Sequence, residues 1–126
     1  MNLERRRVLL VDDGVANRNL FSIILTKAGA EVTQAGNGRD GVNAVKDSLN
    51  NDRPFDIILM DMQMPVMDGL TATQILREMG VKTPIVALTA NTEQDEHDQC
   101  HAAGFSGFLT KPIHRDTLLS AIANHL

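Results

Sequence analysis

The chain has few of the aromatic and basic side chains that nucleic-acid binding requires. It contains no tryptophan or tyrosine and only four phenylalanines, so stacking platforms for single-stranded nucleic acid are not expected. The 12 lysines and arginines are outnumbered by 16 acidic residues, which gives a net charge of -4. The one basic run, residues 5–7, is interpreted as a solvated edge. Because nucleic-acid-binding domains usually carry a basic face, we expect no direct nucleic-acid contact.

Cysteine and long apolar runs are also scarce. The single cysteine, Cys100, excludes an internal disulfide and suits a reducing compartment. No apolar run approaches the ~20 residues of a membrane span. The apolar stretch that follows residues 5–7 ends at Asp12 after four residues, short of the ~7–15 that a signal peptide needs. The sequence therefore predicts a cytoplasmic protein whose domain makes no membrane contact.

What is present is a regular alternation of short apolar runs and segments with helical spacing. The 126 residues, 43% of them hydrophobic, fit a single domain spanning residues 1–126. Strands are predicted at 8–11, 30–35, 56–60, 84–88 and 107–109, and helices at 15–28, 38–50, 68–79, 92–103 and 115–125. The strand over 56–60 lacks polar alternation, which indicates that both of its faces are covered. The pattern predicts a doubly wound α/β sandwich with a parallel sheet.

Reactive side chains follow four of the five predicted strands. They are Asp12 and Asp13 after the first strand, Asp61 after the third, Thr89 after the fourth and Lys111 after the fifth. In open parallel sheets, ligands bind at the edge formed by the carboxyl ends of the strands. We therefore expect three carboxylates, one hydroxyl and one ammonium to meet in one pocket.

The chemistry of such a pocket points to phosphoryl transfer. At ~5 Å and an effective dielectric near ~20, each pair of carboxylates costs about 3 kcal/mol, so a cation must offset the repulsion. Lys111 is one candidate, and Mg²⁺, which prefers oxygen ligands, is the other. Zinc is disfavoured because no thiolate or imidazole stands at these strand ends. A carboxylate among these groups can act as a nucleophile and form an aspartyl phosphate.

Helix capping is the alternative explanation for some of these acids. Asp13 could cap the first helix and Asp68 the third, since aspartate is favoured at that position. For Asp68 we accept the capping interpretation. Convergence of five reactive groups at four strand ends favours a binding site for the others.

Four segments of the chain resemble a known family. VLLVDD at 8–13, DIILMDMQMPVMDG at 56–69, PIVALTA at 84–90 and GFLTKPI at 107–113 are similar to response-regulator receiver domains. The pairs Asn17-Arg18 and Asn37-Gly38 are also similar, and the match spans nearly the whole chain. The resemblance implies a flavodoxin-like (βα)5 three-layer sandwich with a five-stranded sheet in the order 2-1-3-4-5.

The resemblance also implies a role for each residue of the pocket. Asp61 would be the phosphoacceptor, while Asp12, Asp13, Asp61 and the backbone carbonyl of Gln63 would hold Mg²⁺. Lys111 would pair with the phosphoryl oxygens, and Thr89 would donate a hydrogen bond to them. Phe108 would be the aromatic switch residue, and the Lys111-Pro112 bond would be cis. Such a domain is not an enzyme but a phosphoacceptor that assists its own phosphorylation and autodephosphorylation.

Some positions depart from this pattern or leave choices open. Gly14 has no chemical role that we can assign, and Gln63 lies where its side chain could affect dephosphorylation in either direction. Ala90 leaves space beside Thr89 for a phosphodonor or water. Phe108 has no hydroxyl, so a switch there rests on packing alone.

The segment DMQMPVMDG is most similar to receivers of hybrid sensor histidine kinases. We therefore expect a module of such a kinase, with a stand-alone single-domain response regulator as the alternative. The expected partner is a histidine kinase dimerisation domain or a histidine-containing phosphotransfer domain. None of the chain's own histidines is interpreted as a phosphodonor; they are His97, His101, His114 and His125.

The predicted helix over 92–103 has few apolar residues, which are Cys100, Ala102 and Ala103. Little apolar burial contributes little packing energy, so this helix is expected to be weakly held. We predict that it forms, with the fifth strand near Phe108, a surface that phosphorylation switches by drawing Thr89 and Lys111 toward the new charge. A metal site at His97, Cys100 and His101 is disfavoured, because no further ligand is evident.

Three rival classes remain for comparison. A haloacid-dehalogenase-type phosphatase also uses a strand-end aspartate and Mg²⁺, but its D-x-D motif is replaced here by Asp61-Met62-Gln63. A degenerate receiver that serves as a constitutive interaction module is disfavoured because every pocket residue is present. A nucleotide-binding domain is disfavoured because the loop after the first strand has no glycine-rich phosphate cradle.

Overall fold

A computed structural model describes residues 3–89 and 102–126 of the chain. The strands in this part are β1 (Arg7–Val11), β2 (Glu31–Ala35), β3 (Ile57–Asp61), β4 (Ile85–Thr89) and β5 (Gly107–Thr110). The helices are α1 (Val15–Lys27), α2 (Gly38–Asn50), α3 (Gly69–Glu78) and α4 (Arg115–His125). Most of the predicted helix over 92–103 lies outside the described residues, together with the positions Ala90, His97, Cys100 and His101.

All five strands form one parallel sheet in the order β2-β1-β3-β4-β5. This confirms the predicted fold class and strand order. The order reverses direction between β1 and β3, where the chain leaves β2 on one side of β1 and continues on the other. In doubly wound sheets a crevice forms at this reversal, at the carboxyl ends of the strands. Asp12 and Asp61 lie at the ends of these two strands.

The sheet separates two apolar cores because alternate strand residues face opposite sides. Leu9, Ile58, Met60 and Ala87 pack on the side of α2 and α3. Val8, Leu10, Ile57, Leu59, Val86 and Leu88 pack on the side of α1 and α4. Residues of β1, β3 and β4 fill both cores, which explains why these strands read as unbroken apolar runs.

Seven strand boundaries differ from the prediction by one residue: the starts of the first four strands and the ends of the last three. Asp61 and Thr89 are the last residues of β3 and β4 rather than the first residues after them. Their backbones still belong to the ladder, where Asp61 pairs with Leu88 and Thr89 pairs with Thr110. Ala30 is not in β2, because its N–H donates to the carbonyl of Leu25 and completes the end of α1. Propensity could not reveal these pairings, since polar residues at strand ends resemble loop residues.

The start of β3 is also later than predicted. Asp56 precedes the strand, and its carboxylate accepts a hydrogen bond from the backbone N–H of Arg7 at 2.7 Å. Pro84 precedes β4 and has no N–H for the ladder, while its carbonyl accepts from Ile58 N at 2.9 Å. Asp56 therefore joins the sheet through its side chain and Pro84 through its carbonyl, although neither is a strand residue.

The helix ends confirm one sequence prediction and decide one alternative. Gly29 has φ +102° just beyond α1, a conformation that glycine adopts without a side-chain penalty. Asp68 caps α3, since its Oδ1 accepts from Thr71 N at 2.8 Å. Asp13 is not a cap: the N-cap of α1 is Gly14, and no side chain caps that helix. Asp13 is thereby available for the pocket.

No helix in the described part of the chain is both long and apolar enough to cross a membrane. This agrees with the absence of an apolar run of that length in the sequence.

Thr73 of α3 provides a test of the packing. Its side chain is fully buried, and its hydroxyl has no hydrogen-bond partner within the described structure. Because a buried polar group without a partner loses its hydration, Thr73→Val is expected to raise the free energy of unfolding by about 1 kcal/mol in urea denaturation. The exposed Thr71→Val on the same helix should change it by less than about 0.5 kcal/mol. A clear loss of stability in Thr73→Val would contradict this packing.

Candidate functional site

The three predicted acids meet at the carboxyl edge of the sheet. One carboxylate oxygen from each of Asp12, Asp13 and Asp61 lies within 4.8 Å of the other two. Asp12 and Asp61 are buried, with 1% and 5% of their surface exposed, whereas Asp13 is exposed at the mouth. The structure thus brings together residues that are 48 positions apart in the chain. A pocket with two buried acids and one accessible acid is open on one side to a small ligand.

Lys111 supplies a positive charge to this cluster. Its Nζ lies 3.4 Å from Oδ2 of Asp61 and 3.7 Å from Oδ2 of Asp12. The lysine follows β5, and its backbone N–H donates to the carbonyl of Thr89 at 2.7 Å, which ties it to the end of β4. The Lys111-Pro112 bond is cis, as the resemblance implied. One ammonium against three carboxylates leaves the cluster negative.

The remaining charge and one unsatisfied oxygen fit a divalent cation. Oδ1 of Asp12 accepts from Gly14 N at 2.8 Å, whereas the buried Oδ2 has no hydrogen-bond partner among the described residues and faces Lys111 Nζ only at 3.7 Å, beyond hydrogen-bond distance. A buried carboxylate oxygen without a donor is costly unless a cation contacts it. A hard ion that prefers oxygen ligands, such as Mg²⁺, suits this donor set of carboxylates. The residues present therefore fit the predicted metal.

Burial of Asp61 changes its acidity. Desolvation raises the pKa of Asp61 from 3.8 to about 6, and the nearby charge of Asp12 adds to the increase. The backbone N–H of Gln63, which donates to Oδ1 at 3.2 Å, and the ammonium of Lys111 oppose it. A carboxylate that has lost part of its hydration is a more reactive nucleophile once it is ionised.

The other predicted site residues lie around this cluster. Thr89 is 1% exposed and ends β4, the strand that neighbours Asp61. Phe108 of β5 is half-buried and packs against the core on the side of α2 and α3. Gln63 lies two residues after Asp61 and contacts its carboxylate through the backbone N–H. The metal-binding role of the Gln63 carbonyl stays a prediction.

Two glycines set the position of the loop that follows Asp61. A Cβ on Gly69 would lie 2.2 Å from the carbonyl oxygen of Asp61, and a Cβ on Gly38 would lie 2.4 Å from that of Met67. The N–H of Gly38 donates to the same Met67 oxygen at 2.9 Å. Any larger residue at either position would therefore displace the backbone of this loop. The pair Asn37-Gly38 is part of the resemblance, but nothing in the sequence predicted this contact.

A further contact was missed by the sequence reasoning. The guanidinium of Arg18 in α1 donates to the backbone carbonyl of Asp12 at 2.7 Å. The pair Asn17-Arg18 was noted only as part of the resemblance. Backbone acceptors leave no mark in a sequence, so nothing in the pattern could have identified this contact.

Together, the fold and the acidic pocket define a doubly wound domain with a carboxylate site at its sheet edge. The family model of the response regulator receiver domain matches residues 8–123. The chain therefore belongs to the response regulator receiver domain family, which confirms the resemblance.

Relatives of two kinds match the chain. Two-component response regulator ORR41 of Oryza sativa subsp. japonica is 42% identical over 114 residues, which cover 89% of this chain and 87% of that protein. Two-component system protein A of Emericella nidulans is 38% identical over 94% of this chain, but the match spans only 17% of that protein. Hybrid signal transduction histidine kinase I of Dictyostelium discoideum is 34% identical over 93% of this chain and 7% of its own length.

Solved structures share the fold. Chemotaxis protein CheY4 of Vibrio cholerae has a TM-score of 0.88 at 33% identity, covering 96% of this chain and 98% of that one. The receiver domain of sensor histidine kinase PA1611 from Pseudomonas aeruginosa, with a magnesium ion in its active site cleft, has a TM-score of 0.82 at 34% identity, covering 94% and 95%.

A complex also contains a similar chain. It is the co-crystal structure of the Saccharomyces cerevisiae histidine phosphotransfer protein Ypd1 with the receiver domain of its response regulator Ssk1. The TM-score is 0.82 at 27% identity, and the match covers 95% of this chain and 88% of that one.

The raised pKa of Asp61 predicts how stability depends on pH. Because the folded state holds the proton of Asp61 more tightly than the unfolded state, ionisation opposes folding as pH rises from about 4 through 6. A shift of two pKa units corresponds to about 3 kcal/mol. In metal-free buffer at pH 7.5, Asp61→Asn is therefore expected to have a larger free energy of unfolding in urea than the wild type, by up to this amount. The difference should nearly vanish at pH 4; an equal gain at both pH values would contradict the assignment.

Proposed function

We propose that this receiver domain accepts a phosphoryl group from a partner phosphohistidine onto Asp61, with Mg²⁺ bound in the acidic pocket. The observation that carries the proposal is the cluster of Asp12, Asp13 and Asp61 with the ammonium of Lys111 within 4 Å of Asp12 and Asp61. The magnesium ion in the receiver of PA1611 supports the metal, and the complex of Ypd1 with a receiver supports the kind of donor.

The transfer requires few groups. The ionised carboxylate of Asp61 attacks phosphorus, a P–O bond forms as the P–N bond to the imidazole breaks, and the released imidazole takes up a proton. Lys111 offsets the charge of the phosphoryl oxygens, and the hydroxyl of Thr89 donates a hydrogen bond to them. Mg²⁺, when bound, neutralises negative charge on the pocket and on the phosphoryl group. Asp12, Asp13, Asp61 and the Gln63 carbonyl are the residues proposed to hold it.

The domain is proposed to be a phosphoacceptor rather than an enzyme. It assists its own phosphorylation, and its return to the resting state is autodephosphorylation, in which water attacks phosphorus and the Asp61 carboxylate leaves. A phosphatase of the haloacid-dehalogenase type is disfavoured, because the position two residues after Asp61 carries Gln63 in place of an acid. At that position the backbone N–H of Gln63 donates a hydrogen bond to the Asp61 carboxylate.

The signal is proposed to leave the pocket through β4 and β5. The backbone hydrogen bond from Lys111 to Thr89 joins the ends of the two strands. Phe108 pairs with Ala87 in the same ladder, two residues before Thr89. A phosphoryl group on Asp61 would draw Thr89 and Lys111 toward it and thereby bias the packing of Phe108. The predicted helix over 92–103, the other half of this surface, lies outside the described residues.

The partner is proposed to dock on α1. Val15, Leu20 and Ile23 are 59%, 53% and 54% exposed on this helix, which is unusual for large apolar residues in one stretch. A cleft of about 460 Å³ lies beside them, and it is lined by Asn17, Leu20, Phe21, Lys111, Pro112 and Ile113. This cleft joins the apolar face of α1 to the lysine that contacts Asp61. A helix carrying a phosphohistidine could therefore pack on α1 with its imidazole directed at the acceptor.

The domain is proposed to be a module of a hybrid sensor histidine kinase that works in the cytoplasm, where ATP for the kinase is available. The match to kinases such as that of Dictyostelium discoideum supports the module. A stand-alone regulator is the alternative, and the match to nearly all of the rice response regulator supports it. The donor is accordingly a histidine kinase dimerisation domain or a histidine-containing phosphotransfer domain.

Phosphorylation by a small donor tests the acceptor. With Mg²⁺ and acetyl phosphate, the wild type should gain the mass of one phosphoryl group in an acid-stable, base-labile form, detected by mass spectrometry. Asp61→Asn should gain none, because the amide is not a nucleophile of comparable strength. Chelation of Mg²⁺ should also suppress the gain. A phosphoryl group retained in Asp61→Asn, or turnover of p-nitrophenyl phosphate by the wild type, would overturn the proposal.

The docking face is tested by comparing protein and small-molecule donors. Leu20→Asp should slow phosphoryl transfer from a cognate phosphohistidine protein by about tenfold, because it places a charge in an apolar contact. Transfer from acetyl phosphate, which needs no such contact, should be unchanged. Leu49→Asp on α2, where the leucine is 49% exposed, is the matched control and should leave both rates unchanged. Equal rates for the two variants with the protein donor would exclude α1 as the docking face.

A further inference from the structure

We propose that Arg18 is a positioning residue for the metal site, which it serves by fixing the peptide plane between Asp12 and Asp13. The inference rests on the proposed function of the pocket. It begins with Asp13, the exposed member of the acidic cluster. Its carboxylate makes no hydrogen bond or ion pair with the described residues, so its own side chain does not hold it in place.

The backbone is what orients Asp13. The carbonyl oxygen of Asp12, the N–H of Asp13 and the Cα of Asp13 lie in one plane, because the peptide bond is rigid. Arg18 Nη1 donates to that carbonyl oxygen at 2.7 Å. On the other side of the residue, the N–H of Asp12 donates to Ala35 O at 3.1 Å. Both the N–H and the carbonyl of Asp12 are thus fixed. The peptide plane that leads into Asp13 is therefore fixed as well, which restricts the direction in which the Asp13 side chain can point.

Arg18 is itself held at a second point. Its Nε donates to Oε1 of Gln34 at 3.3 Å, and Nε2 of Gln34 donates to the hydroxyl of Ser22 at 2.8 Å. The chain of hydrogen bonds therefore runs from α1 to β2 and returns to α1, with one branch to the loop after β1. A guanidinium can serve both acceptors at once because its N–H groups form a planar fork.

The surroundings leave room for this arrangement. Gly36 follows β2, and a Cβ at that position would lie 3.3 Å from Nη1 of Arg18. A side chain there would crowd the guanidinium that reaches the Asp12 carbonyl. The glycine at position 36 thus leaves room for the guanidinium in its observed place.

Lysine separates this role from a simple effect of charge. Arg18→Lys keeps the positive charge, but a single ammonium cannot span Gln34 and the Asp12 carbonyl in the same fork geometry. If Arg18 acted through its charge alone, lysine would replace it. Under the positioning role, lysine fails. Residues that orient metal ligands change metal affinity by ~10–100-fold when they are lost, which sets the scale of the expected effect.

The experiment is a titration with Mg²⁺ alone, followed by calorimetry and by amide chemical shifts. Arg18→Lys should raise the Kd for Mg²⁺ about tenfold. Arg53→Lys, which makes the same exchange at an exposed arginine paired with Glu31, is the matched control and should bind as the wild type does. Gln34→Leu, which leaves Arg18 present but removes its second acceptor, should weaken binding by a smaller factor of about three.

A second measurement separates positioning from general destabilisation. Urea denaturation of each variant gives the folded fraction, and phosphorylation by acetyl phosphate is followed at increasing Mg²⁺. For a positioning residue, the rate of Arg18→Lys at saturating Mg²⁺ should return to within about twofold of the wild type, since the bound ion then restores the ligand geometry. A purely structural role would lower the rate at all Mg²⁺ concentrations.

The outcomes are distinct. Unchanged Mg²⁺ affinity in Arg18→Lys, or the same loss in Arg53→Lys, overturns the role of Arg18 and leaves the proposed function intact. A rate that stays low at saturating Mg²⁺ also overturns it. A wild type that binds no Mg²⁺ and takes no phosphoryl group overturns the proposed function, and the role of Arg18 falls with it.

Discussion

Repulsion among three carboxylates that share one small pocket is the constraint around which this domain is built. Asp12, Asp13 and Asp61 have oxygens within 4.8 Å of one another, so their negative charges repel when all three are ionised. The backbone holds them there because Asp61 belongs to the ladder of β3 and β4, and Asp12 is bonded to the end of β2. Apolar packing on both faces of the sheet stabilises the folded state and offsets the repulsion among the acids.

Lys111 offsets part of this repulsion. Its ammonium lies between two buried carboxylates, and its backbone is bonded to the end of β4. The same residue therefore senses the charge at Asp61 and lies at the junction of the two strands proposed to carry the signal. Because the pocket carries more negative than positive charge, it favours ligands that bring positive charge. Such a ligand is a cation, or a phosphodonor that binds together with a cation.

How much of this the sequence predicted depends on the kind of interaction. Continuous apolar runs predicted the strands, and aspartate before Gly69 predicted the cap of α3, because burial and capping act through local residue types. The ends of β3 and β4 were placed one residue early, since Asp61 and Thr89 are polar but still pair in the ladder. The contact of Arg18 with the Asp12 carbonyl had no signal, because it joins a side chain to a backbone atom that every residue has.

The sequence by itself predicted the alternation of strands and helices, because apolar spacing is a local property. It also predicted the members of the acidic pocket, because they follow from the residue types at the strand ends. Only the tertiary structure decided which acid is exposed, which oxygen of Asp12 has no hydrogen-bond donor among the described residues, and how far burial raises the pKa of Asp61. These properties depend on distances between segments that are far apart in the chain. Such distances are set by how β1, β3 and β5 pack in one sheet, which no local pattern records.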